Sequence, residues 1–277
     1  MASPLMSTDA LAARAGSPGL VVIDASWYLP TQNRDGRADY LAAHIPGAIF
    51  FDIDAISDHS TPLPHMLPTP EEFSRAMGEL GASETMTAVV YEGSGLFSAA
   101  RVWWMLRLFG MREVFLLDGG LPRWKQEGRP VEAGPVKRPR SVFKATLDRS
   151  AVASLDDVRD ALMARSAQVV DARAGARFRG EAPEPRPGLP SGHMPGAISL
   201  QVGDLVSDGR LLPAHALQKA FAKAGFDPKQ PAITSCGSGV SAAIINLALE
   251  VAGEKAPRLY DGSWTEWASK GMPVAKG

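Results

Sequence analysis

Short apolar runs bounded by turn residues alternate with longer stretches of helical periodicity along the chain. In the second half, the helix-like stretch 155–163 leads to the apolar run 168–171, and the run 231–235 is followed by the apolar stretch 240–251, which ends before Gly253. Short apolar runs between turns are typical of buried parallel strands. Because such strands alternate with helices, the pattern predicts an α/β fold, in which a mainly parallel sheet is flanked by helices on both faces.

The same series of landmarks occurs twice, and the second copy follows the first by 143 to 149 residues. Each copy contains an apolar run that ends in Asp, a His-x-Pro-Gly-Ala-Ile motif, an apolar run before a Gly-Ser-Gly turn, and an Asp-Gly turn followed by Trp. The paired positions are Asp24 and Asp171, His44 and His193, Glu92 and Cys236, Asp118 and Asp261, and Trp124 and Trp267. A period this long exceeds that of a solenoid repeat, so each copy is predicted to be a whole domain.

We predict two similar domains, residues 1–131 and 151–277, joined by a linker at 132–150. The linker contains a basic cluster and two prolines and shows weak apolar periodicity. A chain of 277 residues is long enough for two domains of ordinary size, each with its own core.

The composition is that of an ordinary soluble protein, with 45% hydrophobic and 21% charged residues. The net charge of -1 provides no broad attraction to nucleic acid or to an anionic membrane. No apolar run approaches the roughly 20 residues that a membrane-spanning helix needs, and the amino-terminal residues lack the pattern of a secretory signal. We therefore predict a cytoplasmic protein without nucleic-acid or membrane partners.

Cys236 is the only cysteine, so the chain can form neither an internal disulfide nor a multi-cysteine metal site. It directly follows a predicted strand and directly precedes a predicted helix, which is where open α/β sheets bind ligands. Gly237 and Gly239 permit a tight curve in which backbone N–H groups point toward the sulfur and, with the helix amino terminus, favour a thiolate. A thiolate can act as a nucleophile and carry a second sulfur atom as a persulfide. The alternative is a buried structural cysteine.

The segment 236–242, with the sequence CGSGVSA, closely resembles the active loop of 3-mercaptopyruvate sulfurtransferases, a branch of the tandem-rhodanese superfamily. Segments in both halves are similar to that family, and Ser241 departs from its usual Thr but keeps the hydroxyl. The resemblance implies an enzyme without a cofactor or metal that takes sulfur from 3-mercaptopyruvate onto Cys236 and releases pyruvate. The acceptor that it implies is cyanide or a thiol, for which a thioredoxin-like dithiol is one candidate. In the first copy Glu92 replaces the cysteine, so that domain is predicted to be catalytically silent.

Other functions remain as alternatives. Rhodaneses that prefer thiosulfate resemble this fold but carry Arg or Lys in the loop, whereas positions 237–241 are uncharged here, which favours mercaptopyruvate. A noncatalytic sulfur-relay or binding module is a further alternative. A cysteine phosphatase is disfavoured because its loop needs an Arg about six residues after the Cys, and no Lys or Arg occurs in 237–254.

The resemblance also implies the residues that bind the donor. Arg177 and Arg186 match the family's substrate-binding arginines, and a planar guanidinium suits a carboxylate. The loop positions predicted to contact the donor are Gly237, Gly239, Val240 and Ser241. The neighbouring Arg173 and Arg179 are predicted to form structural ion pairs with Glu181 or Glu184.

Proton handling is assigned to three residues. Ser238 lies two positions after the cysteine and could relay a proton or cap the following helix. His44 and Asp35 match positions that the resemblance implies act with this serine, although His44 also has a counterpart in the second copy, which favours a structural role. His59 and His65 lie in a proline-rich loop, where we expect solvated side chains and no metal.

Overall fold

The computed structural model describes residues 3–277, and its first domain contains five short strands and five α-helices. The strands are β1 (Leu5–Met6), β2 (Leu20–Asp24), β3 (Ile49–Phe50), β4 (Thr87–Tyr91) and β5 (Glu113–Leu117). The helices are α1 (Thr8–Arg14), α2 (Gly36–Ala42), α3 (Pro70–Glu79), α4 (Ala99–Leu108) and α5 (Gly120–Gln126).

The second domain repeats this order of elements and adds one hairpin. Its strands are β6 (Val152–Ala153), β7 (Gln168–Asp171), β8 (Ile198–Ser199), the hairpin strands β9 (Val206–Ser207) and β10 (Arg210–Leu211), β11 (Ala232–Ser235) and β12 (Arg258–Tyr260). Its helices are α6 (Leu155–Ala164), α7 (Gly175–Phe178), α8 (Ala214–Lys223), α9 (Ala242–Val251) and α10 (Ser263–Ser269).

The two large sheets have the same topology. The strand order is β1-β5-β4-β2-β3 in the first and β6-β12-β11-β7-β8 in the second, and every neighbouring pair in them is parallel. The predicted α/β fold with two similar domains is therefore confirmed. The apolar run 168–171 forms β7 at the predicted residues, and the run 231–235 forms β11.

Both faces of each sheet are buried, as the apolar strands predicted. In β2, Val21 and Ile23 join the core that contains α3 and α4, whereas Leu20 and Val22 join the core on the opposite face, with α1 and α5. The first of these cores continues across the domain interface, where α4 packs against α9. The two domains therefore share one apolar core.

The predicted linker follows the surface of the first domain instead of crossing open solvent. Its backbone N–H groups at Ser141 and Thr146 donate to the carbonyls of Gly78 and Phe109. Phe143 is only 3% exposed and packs edge-on against Phe73 with the ring centroids 5.5 Å apart. The domain boundaries at 131 and 151 stay a prediction. Within residues 3–277, none of the helices has both the length and the apolar character needed to cross a membrane.

Each domain covers the equivalent loop of the other. The hairpin of β9 and β10 places Gly209 against Gly95, which follows β4, and Arg210 pairs with Asp118 at 2.6 Å. In the opposite direction, the segment 51–68 of the first domain reaches the loops after β11 and β12, where Nδ1 of His65 lies 2.9 Å from Oγ of Ser238 and the backbone N–H of Leu67 donates to Asp261 at 2.8 Å. The loop of Cys236 is therefore closed by the first domain.

Candidate active site

The loop of Cys236 connects β11 to α9 and is held by the start of α10. The Oγ of Ser263 accepts hydrogen bonds from the backbone N–H groups of Cys236 and Gly239 at 3.1 and 3.0 Å. The N–H groups of Trp264 and Thr265 donate to the carbonyls of Cys236 and Gly237, both at 2.9 Å. The curve that the glycines predicted is therefore fixed from outside the loop.

The position of the sulfur differs in one respect from the sequence prediction. Cys236 is 1% exposed, and within residues 3–277 no N–H group donates a hydrogen bond to its Sγ. Ser263 accepts the hydrogen bonds of two of the loop amides. In the described chain, four other loop N–H groups have no protein acceptor, namely those of Gly237, Ser238, Val240 and Ser241. These donors remain available to a bound group rather than to the thiol itself.

The structure brings the two predicted arginines to this loop. A Cβ atom at Gly237 would lie 3.3 Å from Nη2 of Arg177 and 4.0 Å from Nη1 of Arg186, so both guanidinium groups lie directly beside the loop. Burial lowers the pKa of Arg186, as does the neighbouring charge of Arg177, while Cys236 and Asp54 act in the opposite direction. Among residues 3–277, Arg186 has no carboxylate within ion-pair distance, so its positive charge is available to an anion bound at this loop.

Arg177 is oriented by a buried network. Its Nε donates to Glu184 at 3.2 Å and its Nη2 contacts the same carboxylate oxygen. The other oxygen of Glu184 accepts from Arg173 at 2.8 Å, and Arg173 also pairs with Asp171 at 2.7 Å. The predicted structural role of Arg173 is confirmed, and Arg179 likewise pairs with Glu181 at 2.6 Å.

Ser238 contacts a histidine from the other domain, and that histidine contacts an aspartate. Its Oγ lies 2.9 Å from Nδ1 of His65, and Nε2 of His65 lies 2.9 Å from Oδ1 of Asp54. The hydrogen bond from His65 is the largest cause that lowers the pKa of Asp54, so this carboxylate is ionised and can only accept. The Nε2–H of His65 therefore donates to Asp54, and a ring that carries its proton only at Nε2 accepts the hydroxyl proton of Ser238 at Nδ1.

The indole of Trp27 supports this contact. Its Nε1–H donates to the second oxygen of Asp54 at 2.9 Å, and its ring packs edge-on against His65 with the centroids 4.8 Å apart. His65 itself is 3% exposed. The expectation of a solvated His65 was therefore wrong, because this side chain is buried between the domains.

The structure does not bring His44 or Asp35 to Ser238. His44 is fully buried in the first domain, where Nδ1 lies 2.8 Å from the carbonyl oxygen of Tyr40 and Nε2 lies 3.1 Å from Glu132. Asp35 caps α2 by accepting from the N–H groups of Arg37 and Ala38. The expectation that His44 and Asp35 lie beside Ser238 is therefore corrected, because His65 and Asp54 occupy that place. One signal was present in the sequence, since His65, unlike His44, is not among the repeated landmarks.

Comparisons with known proteins agree with this architecture. Residues 7–127 and 154–270 each match the family described as Rhodanese-like domain. The chain belongs to the rhodanese family. It is 44% identical to the 3-mercaptopyruvate sulfurtransferase of Escherichia coli (strain K12), with 97% of this chain and 96% of the relative covered. It is 42% identical to the Thiosulfate/3-mercaptopyruvate sulfurtransferase 1, mitochondrial, of Arabidopsis thaliana, with 96% of this chain and 76% of that protein covered. The crystal structure of SseA from Escherichia coli has a TM-score of 0.88 at 42% identity and covers 95% of this chain and 99% of its own.

The two rhodanese domains differ at the residue that follows the central strand. In the first domain, Glu92 is fully buried and its carboxylate accepts from Ser94 Oγ at 2.6 Å, Ser98 Oγ at 2.9 Å and the N–H of Ala99 at 2.6 Å. These donors surround the place that Cys236 occupies in the second rhodanese domain. The carboxylate of Glu92 therefore fills the loop that follows β4.

Proposed function

We propose that this rhodanese-family protein is a 3-mercaptopyruvate sulfurtransferase, in which Cys236 takes the donor's sulfur as a persulfide. The observation that carries the proposal is the convergence on one loop of the sole cysteine, two arginines and the Ser238 contact with His65. A nucleophile, cations for a carboxylate and a proton-handling group are the parts that this reaction needs.

The donor is a short α-keto acid whose carboxylate and keto oxygen need cationic partners. Arg177 and Arg186 lie over Gly237 and supply them from one side of the loop. The four loop N–H groups without a protein acceptor then face the terminal sulfur of the persulfide, which is an anion that benefits from such donors. This assigns donor or persulfide contacts to Gly237, Val240 and Ser241, whereas Gly239 uses its N–H to shape the loop.

Atom balance defines the task of the proton-handling group. The thiolate of Cys236 forms a bond to the donor's sulfur as the bond between that sulfur and C3 breaks, and the electron pair remains on C3. One proton must leave the donor's thiol and one must reach C3 to give the methyl group of pyruvate. We assign this transfer to Ser238 and His65, with Asp54 fixing the imidazole tautomer.

The second half-reaction returns the enzyme to its starting state. A thiol or cyanide attacks the outer sulfur, and the thiolate of Cys236 leaves. A dithiol of the thioredoxin type would be released as a disulfide after a second thiol resolves its persulfide as hydrosulfide. We propose the cytoplasm as the compartment, because its reducing conditions keep a sole cysteine available.

Thiosulfate is the second candidate donor. Two arginines over one glycine would also suit a dianion, and the name of the Arabidopsis relative includes both donors. The uncharged loop at 237–241 favours mercaptopyruvate, since it adds no further cation for the second charge.

The test compares the two donors directly. Purified protein is incubated with 3-mercaptopyruvate or with thiosulfate, each with cyanide, while pyruvate and thiocyanate are measured. We expect faster turnover with 3-mercaptopyruvate, a mass increase of one sulfur atom on donor-treated protein, and loss of both in Cys236→Ser. Undiminished turnover in that variant, or a higher kcat/KM for thiosulfate, would reject the proposal.

A further inference from the structure

One buried guanidinium from the first domain joins the two sides of the site. Arg101, on α4, is fully buried. Its Nη2 donates to the carbonyl of His65 at 2.7 Å and to Oδ1 of Asp261 at 2.6 Å, and its Nη1 donates to the carbonyl of Gly239 at 3.3 Å. The same side chain therefore contacts the backbone of the histidine, the cysteine loop and the second domain.

The backbone at both contacts has a left-handed conformation. His65 has φ +62°, which is uncommon for a residue other than glycine, and Gly239 has φ +74°. A hydrogen bond to each carbonyl fixes the direction in which the chain leaves these positions. Arg101 thus opposes the relaxation of His65 into a commoner conformation, which would turn its imidazole away from Ser238.

Asp261 completes the arrangement from the second domain. Its Oδ1 binds Arg101 and its Oδ2 accepts from the N–H of Leu67 at 2.8 Å. The segment from His65 to Leu67 is therefore held at both ends by one ion pair across the interface. A fully buried guanidinium of this kind is costly unless its charge is paired, which Asp261 does here.

We propose that Arg101 is a positioning residue for sulfur uptake, which holds the imidazole of His65 within hydrogen-bonding distance of Ser238 on the cysteine loop. This inference rests on the proposed function. It implies that turnover needs the domain without a cysteine, since that domain supplies both the histidine and the group that places it. Lysine would keep the charge but cannot maintain three directed hydrogen bonds to fixed partners, because its ammonium is a compact charge on a flexible stem.

The two half-reactions separate this role from a general structural one. Uptake from 3-mercaptopyruvate requires a proton at C3 and therefore His65, whereas discharge of a formed persulfide to cyanide requires no proton transfer to carbon. In Arg101→Lys we expect the single-turnover rate of persulfide formation to fall at least tenfold. The rate of thiocyanate formation from persulfide loaded with excess inorganic polysulfide should stay within twofold of the wild-type rate.

Arg107→Lys is the matched control. Arg107 lies on the same helix and also pairs across the interface, with Glu250 at 2.7 Å, but it contacts neither His65 nor the cysteine loop. We expect both half-reactions of this variant to remain within twofold of wild type. A similar loss of uptake in both variants would show that any weakening of the interface suffices, and would overturn the role of Arg101.

A second variant covers the case in which Arg101→Lys does not fold. Asp261→Asn removes the charge opposite Arg101 and should slow uptake about threefold or more without slowing discharge. Normal uptake in whichever variant folds, or equal loss of uptake and discharge, would overturn the inference. If wild-type protein forms no persulfide with 3-mercaptopyruvate, the proposed function fails instead, so the two failures are distinguishable.

Discussion

Two buried histidines of the first domain differ in the groups that their ring nitrogens contact. His65 lies between the hydroxyl of Ser238 and the carboxylate of Asp54, whereas His44 lies between the carbonyl of Tyr40 and Glu132. Only His65 therefore connects a titratable ring to the loop of the nucleophile.

The first prediction separates these two histidines. His65→Gln should lower kcat for 3-mercaptopyruvate by about 100-fold, in the range that general acid–base groups contribute. His44→Gln should leave kcat near the wild-type value and lower the free energy of unfolding, because it leaves a buried acceptor without its donor. Steady-state kinetics and urea denaturation of both variants provide the measurements. A loss of kcat confined to His44→Gln would restore the assignment made from the sequence.

The second prediction concerns donor binding. Arg186→Lys should raise KM for 3-mercaptopyruvate about tenfold with a smaller change in kcat, because lysine replaces a planar pair of donors by a single charge. Arg179→Lys is the control, since Arg179 is exposed and already paired with Glu181. Initial rates across a range of donor concentrations test it, and an unchanged KM in Arg186→Lys would contradict the placement of this residue.

The sequence predicted which side chains of the second domain lie close to the cysteine, but not the contact that crosses the interface. Cys236 and Ser238 share one loop, and the arginines follow a strand of the same sheet, so topology alone places them together. His65 lies 173 residues from Ser238 along the chain, and no periodicity encodes that contact. The resemblance pointed to a histidine and an aspartate of the first domain, but the structure brings a different pair, His65 and Asp54, to Ser238.

At the scale of elements, apolar periodicity was informative where strands and helices are long enough to show it. It located β7 and β11, but strands of two residues such as β3 and β8 carry no pattern of their own and form by pairing with a neighbour. Helix α9 begins two residues later than the apolar stretch at 240–251 because Ser263 holds the preceding residues in the loop.

The third prediction tests the cap that fixes α6 to the second sheet. Asp157 forms a capping box with Ser154 and pairs with Arg258, the first residue of β12, at 2.7 Å. The hydrogen bond from Arg258 is the largest cause that lowers the pKa of Asp157 to about 2. Because both partners are more than a third exposed, solvent screening limits the expected loss in Asp157→Asn to about 1 kcal/mol.

The pH dependence of that loss follows from the sign of the shift. A carboxylate whose folded pKa lies below its unfolded value of roughly 3.9 stabilises the fold fully above that value. The contribution is lost as the pH falls toward 2. Urea denaturation should therefore show a difference between wild type and Asp157→Asn that is constant from pH 7 to 5 and shrinks below pH 4. A difference that grows on acidification would refute this account.

At the scale of the whole molecule, the two domains close each other in the same way. The Asp-Gly turns that the sequence aligned, at Asp118 and Asp261, each accept from a segment of the opposite domain, Arg210 in one direction and Leu67 in the other. The aligned loops differ at the residue that follows the central strand, Glu92 against Cys236, which leaves one covered loop filled and the other chemically available. The first domain thus contributes the cover, the histidine and the arginine that holds it.

The fourth prediction tests this reciprocal contact at the filled loop. A Cβ at Gly95, where φ is +106°, would lie 2.5 Å from the Cα of Gly209, whereas one at Gly47, where φ is +74°, meets nothing within 4 Å. Both alanine variants should lose about 1 to 2 kcal/mol through backbone strain, and Gly95→Ala should lose about 2 kcal/mol more, because two backbones must separate. Guanidinium denaturation compares them, and equal losses would mean that the hairpin is not pressed against this loop. Because the same interface carries His65 to Ser238, the Gly95→Ala variant should also take up sulfur more slowly than Gly47→Ala when the two are compared as folded proteins.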